Sequence, residues 1–154
     1  MSVNAIPDAY HSLTPYIIVS PAAEAIRWYV EAFGATEELR LPMGEKIGHA
    51  ELRIGNSMLM LSDEWPDRGL LGPKSRGGTT ASFMIYLEGV DAAFAKAIAA
   101  GATEESAVAD QFYGDRTGTL VDPFGHRWTL ATHVEDIPED EMQRRVAAMM
   151  GEHA

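Results

Sequence analysis

Gly34-Ala35-Thr36-Glu37-Glu38 returns, residue for residue, as Gly101-Ala102-Thr103-Glu104-Glu105. Each copy follows a stretch with helical periodicity. Ala22, Ile26, Tyr29 and Phe33 share one face of the first, and Val90, Phe94 and Ala97, with Ile98 beside them, share one face of the second. Spacings of three and four residues are those of an amphipathic helix buried along one side. Gly34 and Gly101 then stand where a helix ends on a left-handed glycine. A strand-like run precedes each helix, at 13–19 and 82–87. Three more extended runs follow each, at 37–41, 46–54 and 57–62, and at 104–108, 112–121 and 126–132. Gly55-Asn56 and Asp122-Pro123-Phe124-Gly125 separate the last two strands of each set, as tight turns require. The order β-α-β-β-β, met twice, predicts an α+β fold made by duplication. GATEE consists of common residues; the matching order of elements around it is what makes chance the weaker explanation.

Around this repeat the chain is ordinary for a globular protein. Of its 154 residues, 46% are apolar and 23% charged. Lys and Arg number 12 against 23 Asp and Glu, a formal charge of −11. Such a surface repels phosphate, so neither nucleic acid nor an anionic membrane is expected as a partner. Cysteine is absent, which excludes thiol nucleophiles, thiolate metal sites and disulfides. That fits a reducing compartment, and the cytoplasm is the expected location. No apolar run approaches the roughly 20 residues of a membrane span. The opening residues carry no signal-peptide pattern and are expected to form a short arm. One domain is expected over 1–136, with modules at about 12–62 and 80–133 joined by a linker at 63–79. Residues 137–154 are expected to form a C-terminal helix or tail. Pro138 and the acids after it suit a helix start, and Met142, Val146 and Met149 form a stripe to pack on the body or on a partner subunit. The glycine- and proline-rich linker holds Trp65, Leu70 and Leu71. It reads equally as a lid over a ligand and as a loop pinned to the surface.

The repeat, together with Ala25-Ile26-Arg27-Trp28-Tyr29, Ala32-Phe33-Gly34-Ala35, Gly48-His49-Ala50-Glu51-Leu52 and Asp122-Pro123-Phe124-Gly125-His126, resembles the vicinal oxygen chelate superfamily. That group includes glyoxalase I, bleomycin-resistance proteins and extradiol dioxygenases. Asp110-Gln111-Phe112-Tyr113-Gly114-Asp115-Arg116 and Ala131-Thr132-His133 are similar to stretches of its PhnB-like branch. The resemblance implies paired βαβββ modules whose curved sheets surround a cavity, often in a homodimer. It also implies that metal-dependent relatives hold a divalent ion with four strand residues. The matching positions here are Thr14, Met60, Phe83 and Thr129. A one-residue shift substitutes Leu59, Leu61, Ser82 or Met84, and none of these is a good ligand for such an ion. No metal and no other cofactor is therefore expected.

Strand alternation supplies candidate site residues independently. His49 and Glu51 share a strand face opposite Ala50, Leu52 and Ile54. If helices cover the apolar faces, a cavity receives Tyr16, His49, Glu51, Met60, Phe83, Thr129 and Arg127. His49 and Glu51 are the candidate catalytic pair: a carboxylate beside an imidazole can move a proton or hold a cation. The competing reading is a solvated histidine and a surface ion pair from Glu51 to Lys46 or Arg53. Tyr113, Asp115 and Arg116 either close over a ligand, with Arg116 clamping a carboxylate, or form a hairpin with an Asp115–Arg116 pair. His11 reaches a cavity only if the N-terminal arm folds inward. His126 reads as a turn residue, and His133 and His153 as solvated. His11, His49 and His126 lack any recognised ligand spacing. Met58, Met60 and Met84 suit a core or an adaptable cavity wall. No Gly-x-Ser-x-Gly elbow is present, which argues against a serine hydrolase. The expected function is metal-independent binding of a small organic molecule, neutral or cationic in preference to anionic, by a homodimer. A lyase, isomerase or dioxygenase of the same superfamily, and a regulatory dimer with a vestigial cavity, are the alternatives.

Overall fold

A computed structural model describes residues 2–152; His153, expected to be solvated, lies outside them. The chain forms β1 (Tyr16–Ile18), α1 (Ala22–Phe33), β2 (Thr36–Met43), β3 (Lys46–Ile54), β4 (Ser57–Ser62), the short α2 (Pro73–Arg76), β5 (Ser82–Tyr86), α3 (Val90–Ala99), β6 (Thr103–Asp110), β7 (Asp115–Val121), β8 (Arg127–His133) and α4 (Glu139–Glu152). Two four-stranded sheets result, ordered β1-β4-β3-β2 and β5-β8-β7-β6. In each, the first strand runs parallel to the fourth and the other pairs are antiparallel. The same order twice is the duplicated βαβββ fold. The two sheets stay separate and neither closes on itself.

Both repeat glycines follow a helix end at positive φ, 67° for Gly34 and 115° for Gly101, which side chains rarely adopt. The helices share a second device. Each N-terminus is capped from the far end of its module: Ala22 N–H donates to Asp63, and Val90 N–H to Thr132. Such partners satisfy amide donors that a helix start leaves without intrahelical acceptors.

The helices cover one face of each sheet. Ile17, Leu61 and Ala50 stand opposite one another beneath α1, and all are buried. Phe83, Trp128 and Leu120 form the matching row in the second module. Phe83 packs on Trp128 with ring centroids 5.0 Å apart. This corrects the expectation that Phe83 shares a face with Thr129: the partner of Thr129 on β5 is Met84. The strand begins one residue out of phase with the alignment by helix and glycine turns, so Ser82, Met84 and Tyr86 take the open face.

Asp122 joins the modules. Its carboxylate accepts from Tyr29 Oη (2.5 Å), Trp128 Nε1 (2.8 Å) and the backbone of Phe124 and His126. Burial, reinforced by the Asp122 charge, holds the Tyr29 phenol well above its ordinary pKa, so the phenol remains a donor. Trp28 Nε1 adds a bond to Ala100 O in the other module. The Asp122–Gly125 turn is thus also an intermodular tie.

The linker is pinned and has structure of its own. Trp65 and Leu70 bridge, Lys46 lies 4.9 Å over the Trp65 ring, Ser75 binds Glu64, and Arg76 binds Gly69 O. Helix α4 is tied by Arg145 to Phe112 O and to Glu135. Its stripe is only partly covered, with Val146, Met149 and Met150 exposed beside Phe112. No helix among the described residues is long and apolar enough to cross a membrane.

Candidate functional site

The faces turned away from the helices carry the chemistry. On the first sheet, Tyr16, Met60, Glu51 and Leu39 stand in one row across four strands. His49 lies in the next row, opposite Leu41. Tyr16 Oη is 2.9 Å from His49 Nδ1, and Glu51 Oε2 is 3.4 Å from His49 Nε2. An ionised carboxylate only accepts, so Glu51 favours the tautomer with its proton on Nε2. Nδ1 is then the acceptor and the Tyr16 hydroxyl the donor. Neither expected competitor engages Glu51: Arg53 pairs with Glu38 at 2.9 Å, and Lys46 donates to Glu64 O. The structure therefore brings Tyr16, His49, Glu51 and Met60 together. His49 and Glu51 are 25% and 17% exposed, reachable yet partly desolvated. Leu39, Leu41 and Met43 add exposed apolar surface along β2.

The open face of the second sheet holds a different network. Its matching row is Met84, Thr129, Thr119 and Ser106. Thr119 and Thr129 hydroxyls lie 2.9 Å apart. Toward one end, Asp115 accepts from Tyr86 Oη and from His133 Nδ1, each at 2.7 Å. His133 Nε2 lies 2.7 Å from Asp136. With a carboxylate at each nitrogen, both nitrogens donate. The hydrogen bonds to Asp115 and then Asp136 raise the His133 pKa and favour the imidazolium. Burial acts to raise the Asp115 pKa, but bonds from Tyr86 and His133 outweigh it and hold the carboxyl below its ordinary value. The bond to Asp115 raises the Tyr86 pKa.

Sequence reasoning missed this network and expected a solvated His133. Hairpin counting was the available signal: six residues back from Val121 and six forward from Arg127 place Asp115 opposite His133. The hairpin expected here is present between β6 and β7, but without the Asp115–Arg116 pair, and Arg116 is not left open to clamp a carboxylate. It faces α3, where it binds Asp91 through two bonds of 2.8 Å, and it reaches Asp110 at 3.1 Å. Asp115 points to the opposite face. With two carboxylates on one guanidinium, whose pKa the bonds to Asp91 and Asp110 raise, Arg116 is not a free anion clamp. Arg127 pairs with Glu105. Tyr113 sits in the turn before β7, edge-on to Phe112.

A cavity of about 900 Å³ lies between β5, the turn that joins β3 to β4, and the segment that precedes β1. Thr14, Met58, Phe83, Met84 and Trp128 line it, whereas Tyr16, His49, Glu51, Met60 and Thr129, expected around a cavity, do not border this one; the inward-folded arm brings His11 to it through a bond to Asn56 O. His126 is buried in its turn and bonds Ile18 O at 2.8 Å. The four strand positions matching the metal site of metal-dependent relatives are Thr14, Met60, Ser82 and Thr129 once the β5 register is corrected. Three hydroxyls and a thioether make a poor donor set for a divalent ion. No group of three His, Asp or Glu side chains suited to a metal occurs among the described residues.

Residues 10–130 match the family described as the Glyoxalase/Bleomycin resistance protein/Dioxygenase superfamily. The chain is 40% identical over 152 residues to the uncharacterized protein Mb0911c of Mycobacterium bovis, covering 96% of this chain and 97% of that one. Among solved structures it is similar to TioX from Micromonospora sp. ML1, with 26% identity, a TM-score of 0.65, and coverage of 80% and 99% of the two chains. It is also similar to protein PA1353 from Pseudomonas aeruginosa, with 25% identity, a TM-score of 0.67, and coverage of 81% and 99%.

Proposed function

The chain belongs to the Glyoxalase/Bleomycin resistance protein/Dioxygenase superfamily, and from that premise we infer that it is a PhnB-like, metal-independent binder of a small organic molecule. The observation that carries this reading is the first sheet's open face. There a single polar chain, Tyr16–His49–Glu51, is set among Met60, Leu39 and Leu41. An apolar surface with a few directed polar groups is the usual make-up of a small-molecule site. Glu51 supplies a negative acceptor without a Lys or Arg partner among the described residues, and the net charge of −11 enriches cations near the surface. Tyrosine faces and thioethers suit flat apolar groups and cations. The ligand is therefore a partly aromatic molecule, neutral or cationic in preference to anionic. The poor donor set at the four strand positions supports work without a metal.

The protein acts as a cytoplasmic homodimer, with neither nucleic acid nor membrane as partner. Exposed Met43, Met84 and Tyr86, outside the ligand face, support association, since apolar surface of this kind calls for a cover. Sedimentation at micromolar concentration should give twice the chain mass; a monomer contradicts the dimer. The binding reading is tested by calorimetry with matched aromatic amines, neutral aromatics and aromatic carboxylates. Amines and neutral compounds should bind. If only carboxylates bind, and Arg116→Ala abolishes their binding while Glu51→Gln does not, the reading fails. A second reading, an isomerase, lyase or dioxygenase of the same superfamily, is favoured by one observation: the polar chain has the connectivity of a proton relay.

A further inference from the structure

We propose that Tyr16, His49 and Glu51 form a metal-independent proton-transfer site, with Tyr16 as the catalytic acid–base group and a neutral carbonyl compound bearing an acidic C–H bond as the substrate class. The proposal rests on the reading of the first sheet's open face as the ligand surface. It extends that reading from holding a molecule to changing it.

Three features carry it. First, the connectivity is hydroxyl to imidazole to carboxylate, with the middle group in reach of both others at 2.9 Å and 3.4 Å. An adjacent base activates a hydroxyl, and a third group orients the base. Second, exposure assigns the roles. Both His49 nitrogens face protein groups, whereas Tyr16 is 48% exposed and opposite Met60 on the same face. Of the three groups Tyr16 is therefore the most open to a ligand, and in the proton transfer Glu51 is a positioning residue. Third, proton transfer needs little else. Acyl transfer would call for a cluster of oxyanion donors, and the groups of this relay offer one donor, the Tyr16 hydroxyl.

The step balances without a co-reactant. The Tyr16 proton passes to His49 Nδ1, and the Glu51 carboxylate, 3.4 Å from Nε2, stabilises the positive charge that the imidazole gains. The phenolate oxygen takes the proton from the carbon beside the carbonyl. The C–H electron pair becomes the new C=C bond, and the carbonyl π pair moves onto oxygen. Tyr16 then gives the proton it has gained to that oxygen, and His49 returns the first proton to Tyr16. The substrate leaves as its enol and the protein is restored.

Benzoylacetone is the probe, a neutral aromatic diketone whose enol is followed by ultraviolet absorbance. Its approach to keto–enol equilibrium is compared in wild type, Tyr16→Phe, His49→Gln and Glu51→Gln, with its affinity measured in parallel by calorimetry. The relay requires a protein-catalysed rate that falls by roughly 100-fold or more in Tyr16→Phe and His49→Gln, the scale of general acid–base catalysis, with affinity little changed. Glu51→Gln should also shift the His49 ring ¹⁵N signals from the Nε2–H tautomer toward a mixture, which a merely structural Glu51 would not do. Binding with equal rates in wild type and Tyr16→Phe overturns the relay and leaves the small-molecule reading standing. If benzoylacetone does not bind, acetylation by N-acetylimidazole decides. Tyr16 labelling that slows by roughly ten-fold or more in His49→Gln keeps the activated tyrosine and counts against the ligand reading. Labelling that is indifferent to His49 overturns the relay.

Discussion

The two modules share a strand order, a glycine past the helix and a helix capped from the far strand, yet their open faces differ. In one row Tyr16, Met60, Glu51 and Leu39 cross the first sheet; in the other Met84, Thr129, Thr119 and Ser106 cross the second. The first face carries a loosely closed chain, with Glu51 at 3.4 Å from His49 and no Lys or Arg on it among the described residues. The second carries a tightly closed one, in which three contacts of 2.7 Å engage both Asp115 oxygens and both His133 nitrogens. Duplication has kept what folds the chain and let the exposed chemistry diverge. A polar chain with spare acceptor capacity is available to a ligand, whereas a saturated one stabilises its own surroundings.

The sharpest stability contrast lies in the turns that join the last two strands of each module. Asp122→Ala strips the acceptor from buried Tyr29 and Trp128 and from two backbone donors. It should destabilise by about 3–5 kcal/mol in urea denaturation, because several buried donors lose their acceptor at about 1–3 kcal/mol each. Asn56→Ala, in the exposed turn of the first module, should stay within about 0.5 kcal/mol, as surface substitutions usually do. Equal losses at the two turns would remove the claimed asymmetry.

Next in size is the pair of carboxylates. Asp115→Ala leaves Tyr86 and His133 without their shared acceptor, and should cost about 1–3 kcal/mol in the same measurement. Glu51→Gln should change stability by less than about 0.5 kcal/mol, because its cost falls on binding: an aromatic amine should lose about 1–3 kcal/mol of affinity, the scale of a charge-assisted hydrogen bond. The reverse ranking would assign the structural role to the wrong face.

The pH dependence is a smaller effect with a definite sign. The folded pKa of His133 is raised above 6.5, so its contribution is complete below that value and is lost as pH rises through the folded pKa. The folded pKa of Asp115 is lowered below 3.8, so its contribution is present above that value and is lost as pH falls through the folded pKa. The stability gap between wild type and His133→Gln should therefore shrink on going alkaline from pH 6.5; a gap that widens contradicts the imidazolium assignment. Smallest of all, Arg116→Ala should leave the affinity for amines and neutral aromatics unchanged, because its charge is spent on Asp91 and Asp110 on the helix side.

Much of the fold was legible because its signals are local. Helical spacing in Ala22–Phe33, the turn residues at 55–56 and 122–125, and the repeated pentapeptide sit within short windows. The pairing of His49 with Glu51 was legible too, since strand neighbours two apart share a face. Tyr16 as the donor to His49 was not, because β1 reaches β3 only through β4. Phe83 shows where phase is lost: a five-residue strand between a glycine-rich linker and a helix leaves its register to tertiary packing, here on Trp128. Arg116 shows a different limit. Asp91, Asp110 and Asp115 were all available to it in sequence, and the pleat alone decided that Asp115 turns the other way.

Methionine methyl NMR compares the two faces most directly, because Met60 stands in the first row and Met84 in the second, each on the open face of its sheet. On titration with a neutral aromatic or an aromatic amine, the Met60 methyl signal should move with saturable dependence, and Glu51→Gln should weaken the amine's effect while sparing the neutral compound's. If the Met84 signal moves and that of Met60 stays still, the ligand surface lies elsewhere, and the first sheet's open face is not the site.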